Sequence, residues 1–268
     1  MKKLIRDSSY WYEVHGEGEA LVLLHGFTGS TQTWNHIIQT FRSSFQIIVI
    51  DLPGHGKTVS HSPISMEQCC TDIRTLLVEI GIDSCHMIGY SMGGRTALSF
   101  SMLYPDMVKS LVLESASAGL DLEEDRHSRR TNDEKLAQKL EREGLESFID
   151  FWESIPLFES QKNLSLETQN EIRKERLSQN VEGLAMSLRS MGTGSQPSWW
   201  PKLSLFNKPV LLIAGELDSK FVSINKRMHE ALPQSQLTIV KQAGHAIHVE
   251  QPEFFGKIIE MFIFVDRK

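Results

Sequence analysis

The chain contains little cysteine and no apolar run long enough to cross a bilayer. Its three cysteines, Cys69, Cys70 and Cys85, include an adjacent pair, and such an odd set does not make a disulfide framework. The apolar start at residues 1–5 is interrupted at once by Arg6-Asp7-Ser8, which argues against a signal peptide. We therefore expect a cytoplasmic protein without membrane insertion.

An excess of basic residues is also missing, as are internal repeats. There are 28 Lys and Arg residues against 34 Asp and Glu residues, so the formal net charge is -6. This balance gives no reason to expect nucleic acid or an anionic membrane as a partner. The 268 residues suit one large domain, or one domain with an insertion. A monomer or small homo-oligomer that acts on a small molecule fits these properties.

Short apolar runs alternate with helical stretches in two parts of the chain, residues 1–118 and 196–268. Runs that are apolar throughout are typical of strands buried on both faces. The alternation predicts an α/β fold with a mostly parallel, doubly wound sheet. The predicted strands are 10–15 at the sheet edge, 21–24, 46–50, 85–88, 108–113, 209–214 and 237–240, and the predicted helices are 31–41, 64–80, 96–100, 224–232 and 253–265.

The stretch from 119 to 195 breaks this alternation. It shows no strand pattern, is rich in charge, and carries apolar residues at helical spacing, with Asn180 placed to cap one helix. An insertion of this length is typical of a lid rather than a loop. We therefore expect an α/β core formed by 1–118 and 196–268, and a helical lid formed by 119–195.

The motif Gly89-Tyr90-Ser91-Met92-Gly93-Gly94 lies between a predicted strand and a predicted helix. In that context Gly-x-Ser-x-Gly forms a sharp turn that presents a reactive serine. Glycine permits the tight backbone, and the N-terminus of the following helix favours negative charge. The motif alone also occurs in ordinary turns, but here it predicts Ser91 as the reactive hydroxyl.

A reactive serine needs a histidine to take its proton and a carboxylate to orient that histidine. In this type of fold they follow the serine in the order acid, then histidine, each after its own strand. Asp218 and His245 satisfy that order. Asp218 is preferred to Glu216 because it lies farther past the strand end. His245 is preferred to His248 because a glycine precedes it, which lets the backbone approach.

Stabilising an oxyanion requires two backbone N–H donors. One is expected from Met92, directly after Ser91, and the other from Phe27, in the loop His25-Gly26-Phe27 after a predicted strand. The alternative is that this loop is only a glycine-rich turn. With the serine motif in the same chain, we favour an oxyanion hole.

These motifs, together with Asp51-Leu52-Pro53-Gly54-His55-Gly56, resemble the α/β-hydrolase superfamily over nearly the whole chain. The resemblance implies the α/β-hydrolase fold with a lid. That fold hosts esterases, lipases, carbon–carbon hydrolases, lyases and non-catalytic binding proteins, so it does not settle the reaction.

Arginine gives the best indication of the substrate. Arg95 lies four residues after Ser91, so it is one helical turn away on the same side. It is either part of a structural salt bridge or a contact for an anionic ligand. The insertion holds seven arginines against four lysines, and the planar guanidinium suits carboxylates. We favour a small polycarboxylate substrate, with Lys220 adding charge at the mouth and Trp152 either lining the site or packing inside the lid.

A closer resemblance is to the 2-succinyl-6-hydroxy-2,4-cyclohexadiene-1-carboxylate synthase family of menaquinone biosynthesis. It rests on Tyr90-Ser91-Met92-Gly93-Gly94-Arg95 and on Asp218-Ser219-Lys220-Phe221. The residues to which the resemblance gives a role in substrate binding are Tyr90, Arg95, Lys220, Trp152, Arg176, and the lid arginines ahead of Asp133, namely Arg126 and Arg129 with Arg130 as an alternative.

The implied reaction eliminates pyruvate from 2-succinyl-5-enolpyruvyl-6-hydroxy-3-cyclohexene-1-carboxylate. Ser91, activated by His245, would remove a ring proton as general base, and Asp218 would fix the tautomer of His245. The resemblance calls for no metal and no organic cofactor. The alternatives are a serine hydrolase of an ester or carbon–carbon bond in a carboxylated substrate, and a non-catalytic binding protein of this fold.

Overall fold

The computed structural model describes residues 1–265, with side chains as far as residue 263. Its centre is a sheet of nine strands. The strands are β1 Lys2–Ile5, β2 Ser8–His15, β3 Glu19–Leu24, β4 Phe45–Ile50, β5 Val59–Ser60, β6 Cys85–Tyr90, β7 Val108–Glu114, β8 Val210–Gly215 and β9 Ser235–Val240.

Helices connect these strands, and short 3-10 turns precede or join several of them. Within residues 1–265, none of the helices combines the length and the apolar character needed to cross a membrane. The α-helices are α1 Asn35–Phe41, α2 Met66–Glu79, α3 Met92–Leu103, α4 Glu123–Ser154, α5 Leu166–Leu177, α6 Val181–Met191, α7 Ser219–Ala231, α8 Ile247–Glu250 and α9 Pro252–Val265.

The strand order is β1-β2-β4-β3-β6-β7-β8-β9, with β5 paired to β2. The six strands from β4 to β9 in this order run parallel, and β1, β2 and β5 pair antiparallel. Every residue of β6 and of β8 is buried, because helices cover both faces of the sheet and two apolar clusters form there. The predicted doubly wound α/β sheet is therefore confirmed.

Two of the differences between the local predictions and the structure have a clear physical cause. The strand predicted at the sheet edge, 10–15, lies within β2, which has β1 on one side and β4 on the other. The four residues of β1 are too few for a clear pattern, so only their pairing with β2 reveals the strand. The helix predicted at 224–232 begins at Ser219, because the Asp218 side chain accepts a hydrogen bond from the Phe221 N–H and caps the helix there.

The residues between β7 and β8 form no strand in the part of the chain that is described; they contain α4, α5 and α6. Helix α4 bends at Gly144, where φ is 80° and ψ is 171°. Its two halves pack with α6 around a separate apolar cluster that includes Leu140, Phe148 and Leu188. Asn180 caps α6 as expected, accepting a hydrogen bond from the Gly183 N–H at 2.8 Å.

Two contacts tie these helices to the loops of the sheet. On α5, Glu175 Oε1 accepts hydrogen bonds from the Ser30 N–H (2.9 Å), the Ser30 hydroxyl (2.7 Å) and the Thr33 hydroxyl (2.8 Å). On α6, Gly183 lies against Gly54, where a Cβ atom would come within 2.2 Å of the Gly183 carbonyl oxygen. The second contact is therefore made by backbone against backbone.

The Glu175 contact predicts a loss of stability when it is removed. Glu175→Ala removes the acceptor of two hydroxyl groups and leaves the Ser30 N–H only its longer contact to Thr33 Oγ1 at 3.3 Å. It should lower the free energy of unfolding by about 2 kcal/mol, the usual contribution of hydrogen bonds to a charged group. Urea denaturation measures this change, and hydrogen exchange should show faster opening of α5. Glu171→Ala, at an exposed position one turn earlier on the same helix, is the matched control. Equal stability of the two variants would contradict the prediction.

Candidate active site

Ser91 occupies a strained turn between β6 and α3. Its φ is 50° and its ψ is -107°, an uncommon conformation for a residue with a side chain. Its N–H donates to the Glu114 carbonyl of β7 at 2.8 Å, and its own carbonyl accepts from the Arg95 N–H at 3.0 Å. Gly93 makes the turn possible, because a Cβ atom there would lie 2.0 Å from the Leu24 carbonyl oxygen of β3. The turn thus fixes Ser91 at the carboxyl end of the sheet.

His245 and Asp218 approach Ser91 from the loops after β9 and β8. His245 Nε2 lies 3.0 Å from Ser91 Oγ, and His245 Nδ1 lies 2.6 Å from Asp218 Oδ2. Both side chains are buried, with His245 only 1% exposed. A carboxylate that accepts from Nδ1–H leaves Nε2 free to accept the hydroxyl proton. The geometry therefore suits proton transfer from Ser91 to His245.

The two alternatives considered above have other partners. Glu216 is exposed, and its carboxylate accepts a hydrogen bond from the Gln242 N–H at 3.1 Å. His248 is buried, and its Nδ1 lies 2.8 Å from Glu114 Oε2. The structure thus joins Ser91 to Asp218 and His245 rather than to these residues.

The loop that carries Phe27 is fixed by His25. The Leu52 N–H donates to His25 Nε2 at 3.0 Å, and His25 Nδ1 is 2.8 Å from the Gly26 carbonyl. Burial lowers the pKa of the His25 imidazole, which keeps it neutral with one donor and one acceptor nitrogen. Among the described residues, no acceptor takes the N–H of Phe27 or of Met92. Both donors are thus free for a bound group.

A cavity of about 680 Å³ opens beside Ser91, lined by loops of the sheet and by α4 and α6. Tyr90, Phe27, Met92 and His245 are among the residues that line it. Its basic lining residues are Arg95, Arg129, Lys220 and Arg227, against the acidic Asp121 and Asp125. The balance of charge in the lining is therefore positive.

Arg95 is only 9% exposed and lines this cavity. Its Nη1 donates to the Met191 carbonyl at 2.9 Å and to Gln196 Oε1 at 2.8 Å. Asp133, whose charge acts on Arg95, forms its ion pair with Arg129 instead, at 2.8 Å. Burial is the main cause that lowers the pKa of Arg95, and the charge of Arg129 adds to it. A bound anion would offset this cost, since the present partners of Arg95 are neutral oxygens.

The other residues predicted to bind substrate fall into two groups. Arg129, Trp152 and Lys220 line the same cavity, and Lys220 is exposed at its surface. Arg126 is not among the residues that line this cavity, and its guanidinium pairs with the Glu123 carboxylate at 2.8 Å.

Arg176 is also absent from the residues that line the Ser91 cavity. It donates to Glu153 and Gln161 and lies 4.7 Å over the Phe158 ring. Arg176 lines a second cavity, of about 620 Å³, which meets the first at Phe27, Tyr90 and Phe158.

Among the lining residues that sequence reasoning missed are Ser115 and Arg227. Ser115 is fully buried with φ of 47°, and its hydroxyl has no hydrogen-bond partner among the described residues. It follows β7 directly, so its position at a strand end was a usable signal. Arg227 lies on α7, and only the packing of that helix brings it to the cavity.

Comparison with known proteins agrees with this fold. The family model described as alpha/beta hydrolase fold matches residues 19–252. The solved structure of a thermophilic esterase from Thermogutta terrifontis, with malate bound, has a TM-score of 0.83 at 28% identity, covering 96% of this chain and 93% of that one. The fold and these matches define an enzyme of the alpha/beta hydrolase type.

Relatives with higher identity to this chain identify the family within the alpha/beta hydrolases. A Bacillus subtilis (strain 168) protein, a putative 2-succinyl-6-hydroxy-2,4-cyclohexadiene-1-carboxylate synthase, is 46% identical over 94% of each chain. The synthase of that name from Citrobacter koseri is 31% identical over 87% of this chain and 88% of its own. The structure of MenH from S. aureus has a TM-score of 0.92 at 36% identity, covering 97% of this chain and 99% of that one. The chain belongs to the 2-succinyl-6-hydroxy-2,4-cyclohexadiene-1-carboxylate synthase family.

The close approach at Gly93 predicts that the turn tolerates no side chain there. Gly93→Ala should lower the free energy of unfolding by about 3 kcal/mol, because a methyl group is forced against the Leu24 backbone. Gly256→Ala in α9, where the nearest atom, Thr40 Cγ2, would be 3.7 Å away, should instead gain about 0.5–1 kcal/mol. Chemical denaturation of both variants checks the pair. Wild-type stability of Gly93→Ala would show that the turn is not tightly packed.

Proposed function

We propose that this protein is a carbon–oxygen lyase. It would eliminate pyruvate from 2-succinyl-5-enolpyruvyl-6-hydroxy-3-cyclohexene-1-carboxylate to give 2-succinyl-6-hydroxy-2,4-cyclohexadiene-1-carboxylate, in menaquinone biosynthesis in the cytoplasm. The observation that carries the proposal is the series of contacts from Ser91 to His245 and from His245 to Asp218, beside a cavity lined by Arg95 and Arg129. The names of the relatives support the same reaction.

In the proposed chemistry, the Ser91–His245 pair is a general base. Ser91 Oγ takes a proton from a ring carbon while its own proton passes to His245 Nε2, 3.0 Å away. The electrons of the C2–H bond form a C2=C3 double bond, the existing C3=C4 double bond moves to C4=C5, and the C5–O bond to the enolpyruvyl group breaks. The Asp218 carboxylate stabilises the imidazolium that forms. The proton is then returned to the departing enolate, which gives pyruvate.

The negative charge that develops on the leaving group needs donors that are already in place. The N–H groups of Phe27 and Met92 supply two. Tyr90 supplies a third, because no other described residue hydrogen-bonds its hydroxyl and because burial raises the pKa of Tyr90, which keeps the phenol protonated. These three groups line the cavity beside Ser91.

The carboxylates of the substrate would bind the basic side chains of the cavity. Arg95 is buried, lies one helical turn from Ser91 and has neutral partners, so an incoming carboxylate meets its full charge. Arg129 and Lys220 lie in the same lining, and Trp152 forms part of the wall for the ring. Anchoring at several points turns binding energy into orientation. Arg126 and Arg176 receive no substrate role in this proposal.

The division of the chain into core and lid is part of the same proposal. Residues 119–195 would form the lid over the core made by 1–118 and 196–268. Residues of α4 and α6, including Arg129 and Leu188, line the cavity opposite Ser91. A cover of this kind excludes water from the reacting groups, which favours elimination over hydrolysis.

A serine hydrolase acting on an ester of a carboxylated molecule is the second candidate. The likeness to the esterase from Thermogutta terrifontis supports it, as does the Ser91–His245 distance, which equally suits a covalent mechanism. Only a carboxylated ester would give the buried Arg95 a use, so this candidate does not extend to apolar esters.

Release of pyruvate, coupled to NADH oxidation by lactate dehydrogenase, tests the lyase proposal. Wild-type protein should release pyruvate from the enolpyruvyl substrate, and Ser91→Ala should lower kcat by about 10³-fold or more while it remains folded. Ser101→Ala, a buried serine on the same helix, should keep wild-type activity. Absence of pyruvate together with rapid turnover of p-nitrophenyl esters would establish the hydrolase instead.

A second prediction distinguishes a role of the Arg95 charge in substrate binding from a role in the fold alone. Arg95→Ala should lower kcat/KM for the tricarboxylate about 100-fold, since a buried charged contact is lost, but change p-nitrophenyl acetate hydrolysis by only about threefold. Gln196→Ala removes a neutral partner of Arg95 and keeps the charge, so it is the control. Equal losses on both substrates for Arg95→Ala would mean that the arginine serves only the fold.

A further inference from the structure

A second buried carboxylate–histidine pair lies behind Tyr90, and the proposed chemistry does not use it. Glu114 is the last residue of β7 and is 0% exposed. Its Oε1 accepts a hydrogen bond from the His248 backbone N–H at 2.9 Å, and its Oε2 lies 2.8 Å from His248 Nδ1. One carboxylate therefore fixes both the main chain and the ring of His248.

His248 in turn fixes the ring of Tyr90. The Tyr90 ring lies between two imidazoles, with centroid distances of 4.6 Å to His248 and 5.4 Å to His245. Its edge packs against Gly26, where a Cβ atom would come within 2.5 Å of the ring. The position of the Tyr90 hydroxyl and the course of the loop before Phe27 therefore depend on where His248 holds this ring.

Glu114 also holds Ser91 directly. Its backbone carbonyl accepts a hydrogen bond from the Ser91 N–H at 2.8 Å, while its side-chain carboxylate contacts the His248 ring at Nδ1. The one residue thus connects the strained turn of Ser91, through the main chain, with the ring of Tyr90, through His248. The rings of Trp34 and Phe255 also pack against the His248 ring, with centroid distances of 5.0 and 6.0 Å, and restrict its movement.

A contribution to stability does not by itself explain why the buried Glu114–His248 pair is present. Removing a carboxylate and an imidazole from water is costly, and apolar residues of similar volume often replace a buried pair without loss of stability. Hydrogen bonds of fixed direction, in contrast, orient a ring in a way that apolar contacts do not. The pair is therefore better explained by the geometry it imposes.

We propose that Glu114 and His248 are positioning residues that hold the Tyr90 hydroxyl and the Ser91 turn in the arrangement required for turnover. The proposal rests on the lyase function argued above. It concerns catalytic rate more than substrate affinity, because neither residue lines the cavity that contains Ser91 and Arg95.

The test compares rate, affinity and stability in designed variants. Replacing the pair together, Glu114→Met with His248→Phe, keeps volume and ring stacking but removes the directed hydrogen bonds. It should remain folded, lower kcat for pyruvate release about 10- to 100-fold, and leave KM within about twofold. Glu114→Gln keeps one acceptor oxygen for the His248 N–H and should show a smaller loss of kcat.

Asp72→Asn is the matched control, since Asp72 is a buried carboxylate that accepts from the Tyr10 hydroxyl at 3.0 Å and lines neither cavity. It should lower the thermal midpoint without changing kcat per folded molecule. If the double variant does not fold, Glu114→Gln carries the test through the same split between kcat and KM. Wild-type kcat in the folded variants, or a raised KM with unchanged kcat, would overturn the proposal.

Failure of the lyase proposal would look different, because the wild-type protein itself would then release no pyruvate. In that case the same variants are compared on p-nitrophenyl acetate, whose hydrolysis also depends on the Ser91 turn. A reduced kcat there would support the positioning role without the lyase function, and an unchanged kcat would refute it.

Discussion

The backbone at Ser91 is the constraint on which the rest of the site depends. Its N–H is bonded to the carbonyl that ends β7, and the next turn of the chain presses Gly93 against the end of β3. Three neighbouring strands thus hold one residue in a conformation it would not choose alone. His245, Asp218 and the Phe27 N–H are placed by separate loops, and they meet at this fixed serine, whose own turn supplies the Met92 N–H.

The two arginines of the cavity, Arg95 and Arg129, differ in how far their charge is free to bind an anion. Arg95 is fixed by a carbonyl and an amide oxygen, so its position is set without its charge being neutralised. Arg129, in contrast, pairs with Asp133, which limits its share in binding an anion. An enzyme acting on an apolar ester gains nothing from a buried, weakly compensated guanidinium. The charge of Asp133 offsets part of the cost of burying it, and a bound anion would offset more.

The sequence predicted the parts of the site that are attached to strand ends. Ser91, Asp218 and His245 meet because the carboxyl ends of parallel strands share one edge, a rule that needs no coordinates. Arg126 and Arg176 show the limit: the direction of a residue on a surface helix depends on how α4 and α5 pack, and α4 bends at Gly144. The position of β2 inside the sheet rather than at its edge could not be predicted either, because it depends on β1, whose four residues show no clear strand pattern.

The contact between Gly54 and Gly183 limits how the cavity of this protein can change. Where two main chains touch without intervening side chains, the spacing between α6 and the loop after β4 cannot be tuned by small substitutions, since any larger residue pushes them apart. The height of the cavity beside Ser91 is therefore set by main-chain contact. A new specificity is open to this chain mainly through exchange of the residues that line the cavity walls.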